Sequence, residues 1–202
     1  MPLDERPMLN DRSSTISLLE TRRSGKPREM ISPGPSDDEL QRMLHIAMRV
    51  PDHGKLSPWR FVIVGKDQRT QLAMLLHKAL EAEVPDAGLA HHDKENQFAL
   101  QGEALVVLIS SPTANHKIPV WEQELSAGAA GMNLLTAAHA MGYVGGWITG
   151  WRAYSPIVNA AFAGPGERIA GFIFIGSPGR DLEERPRPEA AEIVKKWVPP
   201  VD

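Results

Sequence analysis

The chain has 202 residues, 42% hydrophobic and 23% charged, with a net charge of −3 and no cysteine. That length and apolar content suit one compact domain with a sizeable core, and the charge balance, without a long basic stretch, argues against a nucleic-acid partner. Lack of cysteine excludes disulfides, cysteine-ligated zinc, iron–sulfur clusters and thiol nucleophiles, and no apolar run approaches the ~20 residues of a membrane span.

Residues 1–13 are polar, carry no apolar signal core and read as a flexible tail. Ser14 to Arg23 predicts a short helix with Ile16, Leu18 and Leu19 as its apolar side, and Gly25 to Pro35 a loop. Ser36 and Glu39 have capping-box spacing. They open a helix with Leu40, Met43, Leu44 and Ala47 on one face, which must stop before Pro51. Arg60 to Val64 is a strand signal, and Asp67 is placed to cap a helix carrying Leu72, Leu75, Leu76, Ala79 and Leu80. Residues 84–100 are polar and fit a loop, an exposed helix or a lid. Ala104 to Ser110 is continuously apolar, as in a strand covered on both faces.

Asn115 to Pro119 is a turn, and Trp121 to Met141 the longest helical candidate, closed by Gly142. Gly128 and Gly131 inside it each cost about 1 kcal/mol against alanine, which points to close packing, with a second subunit as the candidate neighbour. Tyr143 to Thr149 is a strand, and Ser155-Pro156 opens a short helix through Phe162. Ile169 to Ile175 is another buried strand, followed from about residue 177 by a proline- and arginine-bearing extension with little core of its own. Four strands separated by helices predict an α/β three-layer sandwich.

No P-loop, dinucleotide-binding glycine motif, zinc-protease motif or nucleophile elbow is present. His91-His92-Asp93 is the one metal-like run, but adjacent residues do not readily turn both rings to one ion, so no metal is expected. Four segments carry more chemistry. Arg22-Arg23-Ser24 offers two guanidinium forks and a hydroxyl to an anion; alone, it better fits cations answering a helix dipole. The loop from Pro51 to Pro58, with Arg49 before it and His53 and Lys55 inside it, leads into Trp59 and Phe61, which share a strand face. Gly145 to Gly150 combines glycines, which let backbone lie against a flat ring, with Trp147, Ile148 and Thr149. Arg185-Pro186-Arg187 is either a solvated basic turn or a further source of charge for a phosphate.

The order of these pieces resembles the FMN-dependent nitroreductase family from Leu18 to about Val194. The carriers are the helix ending in Arg22-Arg23-Ser24, the loop through Pro51-Asp52-His53 to Pro58-Trp59, and Trp121-Glu122-Gln123-Glu124 on the long helix. The Gly145-Gly146-Trp147 strand and Gly171-Phe172-Ile173-Phe174-Ile175-Gly176 complete the set, which looks closest to a small bacterial subgroup of NAD(P)H nitroreductases. The resemblance implies a nitroreductase-like sandwich with a mixed, mainly antiparallel sheet. It also implies a cytoplasmic homodimer whose FMN sites lie between subunits, one FMN-binding domain over 14–202, and no membrane partner. Arg22, Arg23 and Ser24 would hold FMN from one subunit, and Arg49 and His53 would approach it from the other. Trp147, Ile148 and Thr149 would lie along the flavin ring, Arg185 and Arg187 near the phosphate, and Ala137 to Gly142 near the nicotinamide. The implied activity is ping-pong, two-electron reduction of nitroaromatic, quinone or related small acceptors by NAD(P)H, with the chemistry on the flavin and no catalytic side chain. Alternatives are dehalogenation or flavin destruction on the same scaffold, a flavin-binding or sensory protein without efficient turnover, and a cofactor-free interaction domain.

Overall fold

The computed structural model of the chain describes residues 8–200. Its elements are α1 (Thr15–Thr21), β1 (Met30–Ile31), α2 (Asp37–Ala47), β2 (Trp59–Val64), α3 (Arg69–Glu83), α4 (Leu89–Leu100), β3 (Ala104–Ser110), α5 (Val120–Ala140), β4 (Val144–Ile148), α6 (Trp151–Tyr154), α7 (Pro156–Phe162), β5 (Arg168–Pro178) and α8 (Ala190–Ile193). Strands β2, β3 and β5 pair side by side, and β5 also pairs with β4 and with the two-residue β1. Every pair is antiparallel. No helix among the described residues is long and apolar enough to cross a membrane.

The side-chain alternation of β3 explains its continuous apolar run. Leu105, Val107 and Ile109 face one core with α3, α4 and α7, joined there by Phe172 and Phe174. Val106 and Leu108 face the other with α2 and α5, joined by Ile173 and Ile175. The three-layer sandwich expected from the sequence is therefore the fold. Trp59 and Phe61 also point into this second core, so their shared face is a packing face.

Local signals set most boundaries. Ser36 Oγ accepts from Glu39 N–H at 3.3 Å, and Glu39 Oε2 accepts from Ser36 N–H at 2.9 Å, closing the capping box. Asp67 does not cap α3; it sits in a 3₁₀ turn, Lys66–Gln68, that precedes the helix without a side-chain cap bond. In α1 only Leu18 is buried, while Ile16 and Leu19 are exposed. The tail expected over 1–13 lies partly outside the described residues. Within them, Asn10 N–H donates to Thr21 O at 3.0 Å, so residue 10 is already tied to the end of α1. Strand β5 continues to Pro178.

Residues 89–100 form α4, whose buried residues are Glu95, Phe98 and Ala99. A buried glutamate in place of an apolar repeat explains why periodicity left this segment open. Glu95 holds Arg152 of α6 through two hydrogen bonds of 2.5 and 2.6 Å. The Arg152 guanidinium lies 4.1 Å from the Phe98 ring centre, and Phe98 meets Phe172 and Phe174 edge-on. A segment locked by a buried ion pair is part of the body rather than a lid. Removing one member of such a pair strands the other, at a cost of about 3–5 kcal/mol. Glu95→Ala is expected to lower unfolding free energy by that order in urea titration, while Leu89→Ala, at an 85% exposed position, shifts it by less than about 0.5 kcal/mol. Equal stability of the two variants would refute the anchoring role.

Candidate active site

The first functional group forms where α1 ends. Thr21 is the last helical residue, and Arg22 turns extended. Asn10 then brackets the chain: its Oδ1 accepts from Arg23 N–H at 2.8 Å, and its Nδ2 donates to Arg23 O at 3.2 Å. Two residues on, Gly25 N–H donates to Gly145 O of β4 at 3.1 Å. Arg22-Arg23-Ser24 is thus a strap held at one end by Asn10 and at the other by β4. Asn10 escaped the sequence reading because its contacts are made thirteen residues away.

Within the strap the arginines divide. Arg23 Nε donates to Glu183 O at 2.7 Å. Arg22 is half-buried, and its own hydrogen bond is a long 3.4 Å to Ser24 Oγ. Arg187 Nη2 lies 3.4 Å from Arg22 O and 3.1 Å from Glu184 Oε1. Burial, then the charges of Arg187 and Arg23, pull the Arg22 guanidinium below the usual arginine range, against the pull of Glu184. A desolvated cation beside two others is a strong binder of an anion. The structure brings Arg187 into this group. Arg185 is exposed, and its recorded hydrogen bond is from backbone N–H to Glu184 Oε1.

Strand β4 supplies the second group. Its edge away from β5 carries both hydrogen-bonding groups of Gly145: the carbonyl goes to Gly25 and the N–H to His139 Nε2 at 3.2 Å. By the two-residue alternation, the N–H and C=O of Trp147 point out of that same edge. The Trp147 ring turns the other way. Its Nε1 donates to Ala170 O at 3.1 Å, the carbonyl of a residue left unpaired where the β3–β5 register shifts. The ring packs so closely that a Cβ on Gly131 would lie 2.5 Å from it and one on Gly171 only 1.9 Å. Gly131 therefore serves packing within the chain, whereas a Cβ on Gly128 would meet nothing within 4 Å. Ile148 packs on the first core. Thr149 is half-buried, and Gly150, at φ +74°, turns the chain into α6.

Arg49 and His53 lie elsewhere. Asp52 closes their loop by accepting from Leu56 N–H at 3.0 Å and Ser57 N–H at 2.9 Å. Gly54 is required twice over: its φ is +78°, and a Cβ there would lie 2.4 Å from Ile118 Cδ1. The loop rides on the first half of α5, with His53 Nδ1 2.8 Å from Glu122 Oε2 and Ser126 Oγ donating to Pro51 O at 2.5 Å. Arg49 and His53 are both exposed. Arg22, by contrast, acts electrostatically on His139 in the last turn of α5. Residues 122 and 139 are about 25 Å apart along a helix axis. Within one chain, then, His53 does not reach the Arg22 strap, while Arg49 sits further along α5, its carbonyl accepting from Asn133 Nδ2 at 3.3 Å.

His139 is a further residue that sequence reading missed. Its side chain is fully buried, with Nε2 accepting from Gly145 N–H and Nδ1 without a partner. Burial, and then the nearby Arg22 charge, hold its pKa down to about 4. Leaving a buried donor unmet costs about 1–3 kcal/mol. Ala137 and Ala138 are buried beside it, so of the stretch Ala137–Gly142 only the last residues reach the surface. A cleft of about 950 Å³ lies beyond Gly142 against Asn10, Arg12 and the 178–184 segment. It includes neither Ser24 nor Trp147. The hollow at Arg23 and Ser24 is about 30 Å³.

Residues 19–177 match the Nitroreductase family. Among curated proteins, the chain is 33% identical over 165 residues to "Putative NAD(P)H nitroreductase YdjA" of Escherichia coli (strain K12), covering 81% of this chain and 87% of that one. Among solved structures, a nitroreductase-like family protein from Bacillus cereus superposes with a TM-score of 0.77 at 20% identity, over 92% of this chain and 96% of the other. The NADPH:FMN oxidoreductase from Vibrio harveyi, complexed with NAD+, superposes with a TM-score of 0.64 at 18% identity, over 87% and 73%. A family match across most of the chain, a curated relative of one-third identity and the same antiparallel sandwich agree: this chain belongs to the nitroreductase family.

Proposed function

We propose that the protein is an FMN-dependent NAD(P)H oxidoreductase that reduces small nitroaromatic, quinone or related acceptors by two electrons in a ping-pong cycle, as a homodimer with shared flavin sites. The observation that carries this reading is Arg22, a half-buried guanidinium beside Arg23 and Arg187 whose own hydrogen bond is a long one to Ser24. That donor set fits the FMN phosphate, and the open edge of β4 fits a flat heteroaromatic ring that needs amide donors.

FMN, when bound, supplies the electron transfer between NAD(P)H and the acceptor. The chain supplies placement. Arg22, Arg23 and Ser24 would hold the phosphate, with Arg187 adding charge; Arg185, which is exposed, is left out. The backbone of Trp147 and Thr149 orients the ring, and the inward packing of Trp147 and Ile148 keeps that edge rigid. Preorganised donors of this kind stabilise negative charge on a reduced ring without reorganisation.

Support for the dimer comes from α5. Trp121 and Leu125 are 64% and 55% exposed, Met132 is 38% exposed, and Gly128 has no neighbour within 4 Å of a Cβ. Their spacing puts all four on one face of the helix. A two-fold axis crossing α5 near its midpoint would set the first turn of one helix against the last turn of the other. The partner subunit's Arg49 and His53 would then stand over the Arg22 strap.

Purified protein loaded with FMN and freed of excess is expected to keep a flavin absorption spectrum that NAD(P)H bleaches anaerobically. Retained flavin that does not bleach would favour a binding or sensory role, and no retention would overturn the reading. Arg22→Ala removes charge-assisted hydrogen bonds of about 1.5–3 kcal/mol. It should weaken FMN binding by about 10- to 100-fold while turnover per bound flavin stays near that of the parent; equal FMN affinity would count against the strap. Leu125→Glu places a charge in the helix seam and should dissociate the dimer and release FMN together, read by sedimentation and absorbance. A monomer that retained FMN would exclude the shared site.

A further inference from the structure

The reading above gives His139 no task, although it is a fully buried titratable side chain between α5 and β4. We infer that His139 is a positioning residue for the phosphate clamp: as a neutral imidazole it fixes Gly145 of β4, and Gly145 fixes the backbone that carries Arg22 and Ser24. This rests on the FMN reading of the strap.

The linkage is a short chain of contacts. His139 Nε2 accepts from Gly145 N–H at 3.2 Å, and Gly145 O accepts from Gly25 N–H at 3.1 Å. Gly25 directly follows Ser24. There is little slack between these pieces. A Cβ on Gly145 would lie 2.5 Å from Leu135 Cδ2, and one on Gly25 would lie 2.9 Å from Val144 Cγ2. Strap and strand are in backbone contact, so a displacement of Gly145 carries Ser24 with it.

The chemistry requires one state of the ring. Nε2 accepts a hydrogen bond only when it carries no proton, which places the proton of the neutral ring on Nδ1. That N–H is left without an acceptor among the described residues. Packing alone would not need this tautomer, since an apolar side chain would fill the same space without an unmet donor. Protonating Nε2 would turn the acceptor into a donor facing another N–H, and would place a cation beside Arg22. Burial and Arg22 oppose this, holding the pKa down to about 4. The other charged groups lining the adjoining cleft are Arg12, Arg180, Asp181, Glu183 and Glu184, with the Tyr143 hydroxyl.

His139→Leu and His139→Gln separate acceptor from bulk. Leucine fills space without accepting; glutamine Oε1 can accept from Gly145 N–H. FMN dissociation constants would be measured by flavin fluorescence, with circular dichroism as the check on folding. His139→Leu is expected to bind FMN on the order of tenfold more weakly, and His139→Gln within about threefold of the parent. The Michaelis constant for NAD(P)H at saturating FMN should not move. Because the folded pKa is held down to about 4, the ring of the folded protein stays neutral below the ordinary histidine value of 6.5 and is protonated only as pH falls through about 4. FMN retention by the parent should fall through that window while the circular dichroism stays native, and retention by His139→Gln should not. Equal FMN affinity of His139→Leu and parent, or equal loss in both variants, would overturn the inference and leave the FMN reading standing. A parent protein that binds no FMN would overturn that reading instead. Should His139→Leu not fold, ¹⁵N shifts of the His139 ring in the parent decide: a proton on Nδ1 supports the role, and one on Nε2 removes it.

Discussion

A helix of 21 residues spans about 30 Å, and the candidate site depends on what is fixed to the two ends of α5. Its first half holds the Pro51–Ser57 loop through Glu122 and Ser126, and Asn133, past its midpoint, holds Arg49. Its last turn holds β4 through His139, and β4 holds the Arg22 strap. The helix is buried along one face by the second core and leaves Trp121, Leu125 and Met132 uncovered on another. The rigidity that keeps the two groups apart within a chain is also what would bring them together across a two-fold axis. A shorter or kinked helix would lose both properties.

Close backbone approach is the second constraint. Gly131 and Gly171 make room for the Trp147 indole, and Gly25 and Gly145 let the strap lie on β4. Each glycine gives up helix or strand propensity, and each is repaid by a contact that a Cβ would block. The result is a strand whose ring side is spent on packing and whose outer edge is backbone. That division suits recognition of a planar ligand, since fixed amides can serve it only if the strand behind them does not move.

The buried arginines show what separates structure from function. Arg152 is matched by Glu95 through two short hydrogen bonds. Arg69 reaches the carbonyls of Val64, Ala99 and Gln101, closing the end of α4. Arg22 is desolvated as well, but its neighbours are Arg23 and Arg187, and its hydrogen bond is long. Arg152 and Arg69 thus serve the fold through partners the chain provides, Arg69 with its Nη2 still unmet among the described residues. The third fits the anion-binding corner proposed above.

Much of the architecture was legible from local rules, because caps, prolines and apolar alternation act over a few residues. Ser36 with Glu39, Ser155 with Pro156 and the apolar run of β3 set their elements as expected. Asp67 did not, since a 3₁₀ turn took the place of the cap, and α4 stayed ambiguous because its buried face is built on Glu95, whose partner lies 57 residues away. The cationic motif Arg22-Arg23-Ser24 and the Pro51–Pro58 loop were visible as chemistry, but not their separation along α5. Asn10 and His139 gave no signal, as each acts only through a backbone group brought to it by folding. By itself the sequence determined the family, the layer order and the residue types available for an anion and a flat ring, since these are carried by pattern and motif. Only the tertiary structure decided that Gly131 packs inside the chain, that Arg187 rather than Arg185 joins the strap, and that Trp147 offers backbone instead of its ring. Those outcomes depend on distances between segments remote in sequence, which no local propensity encodes.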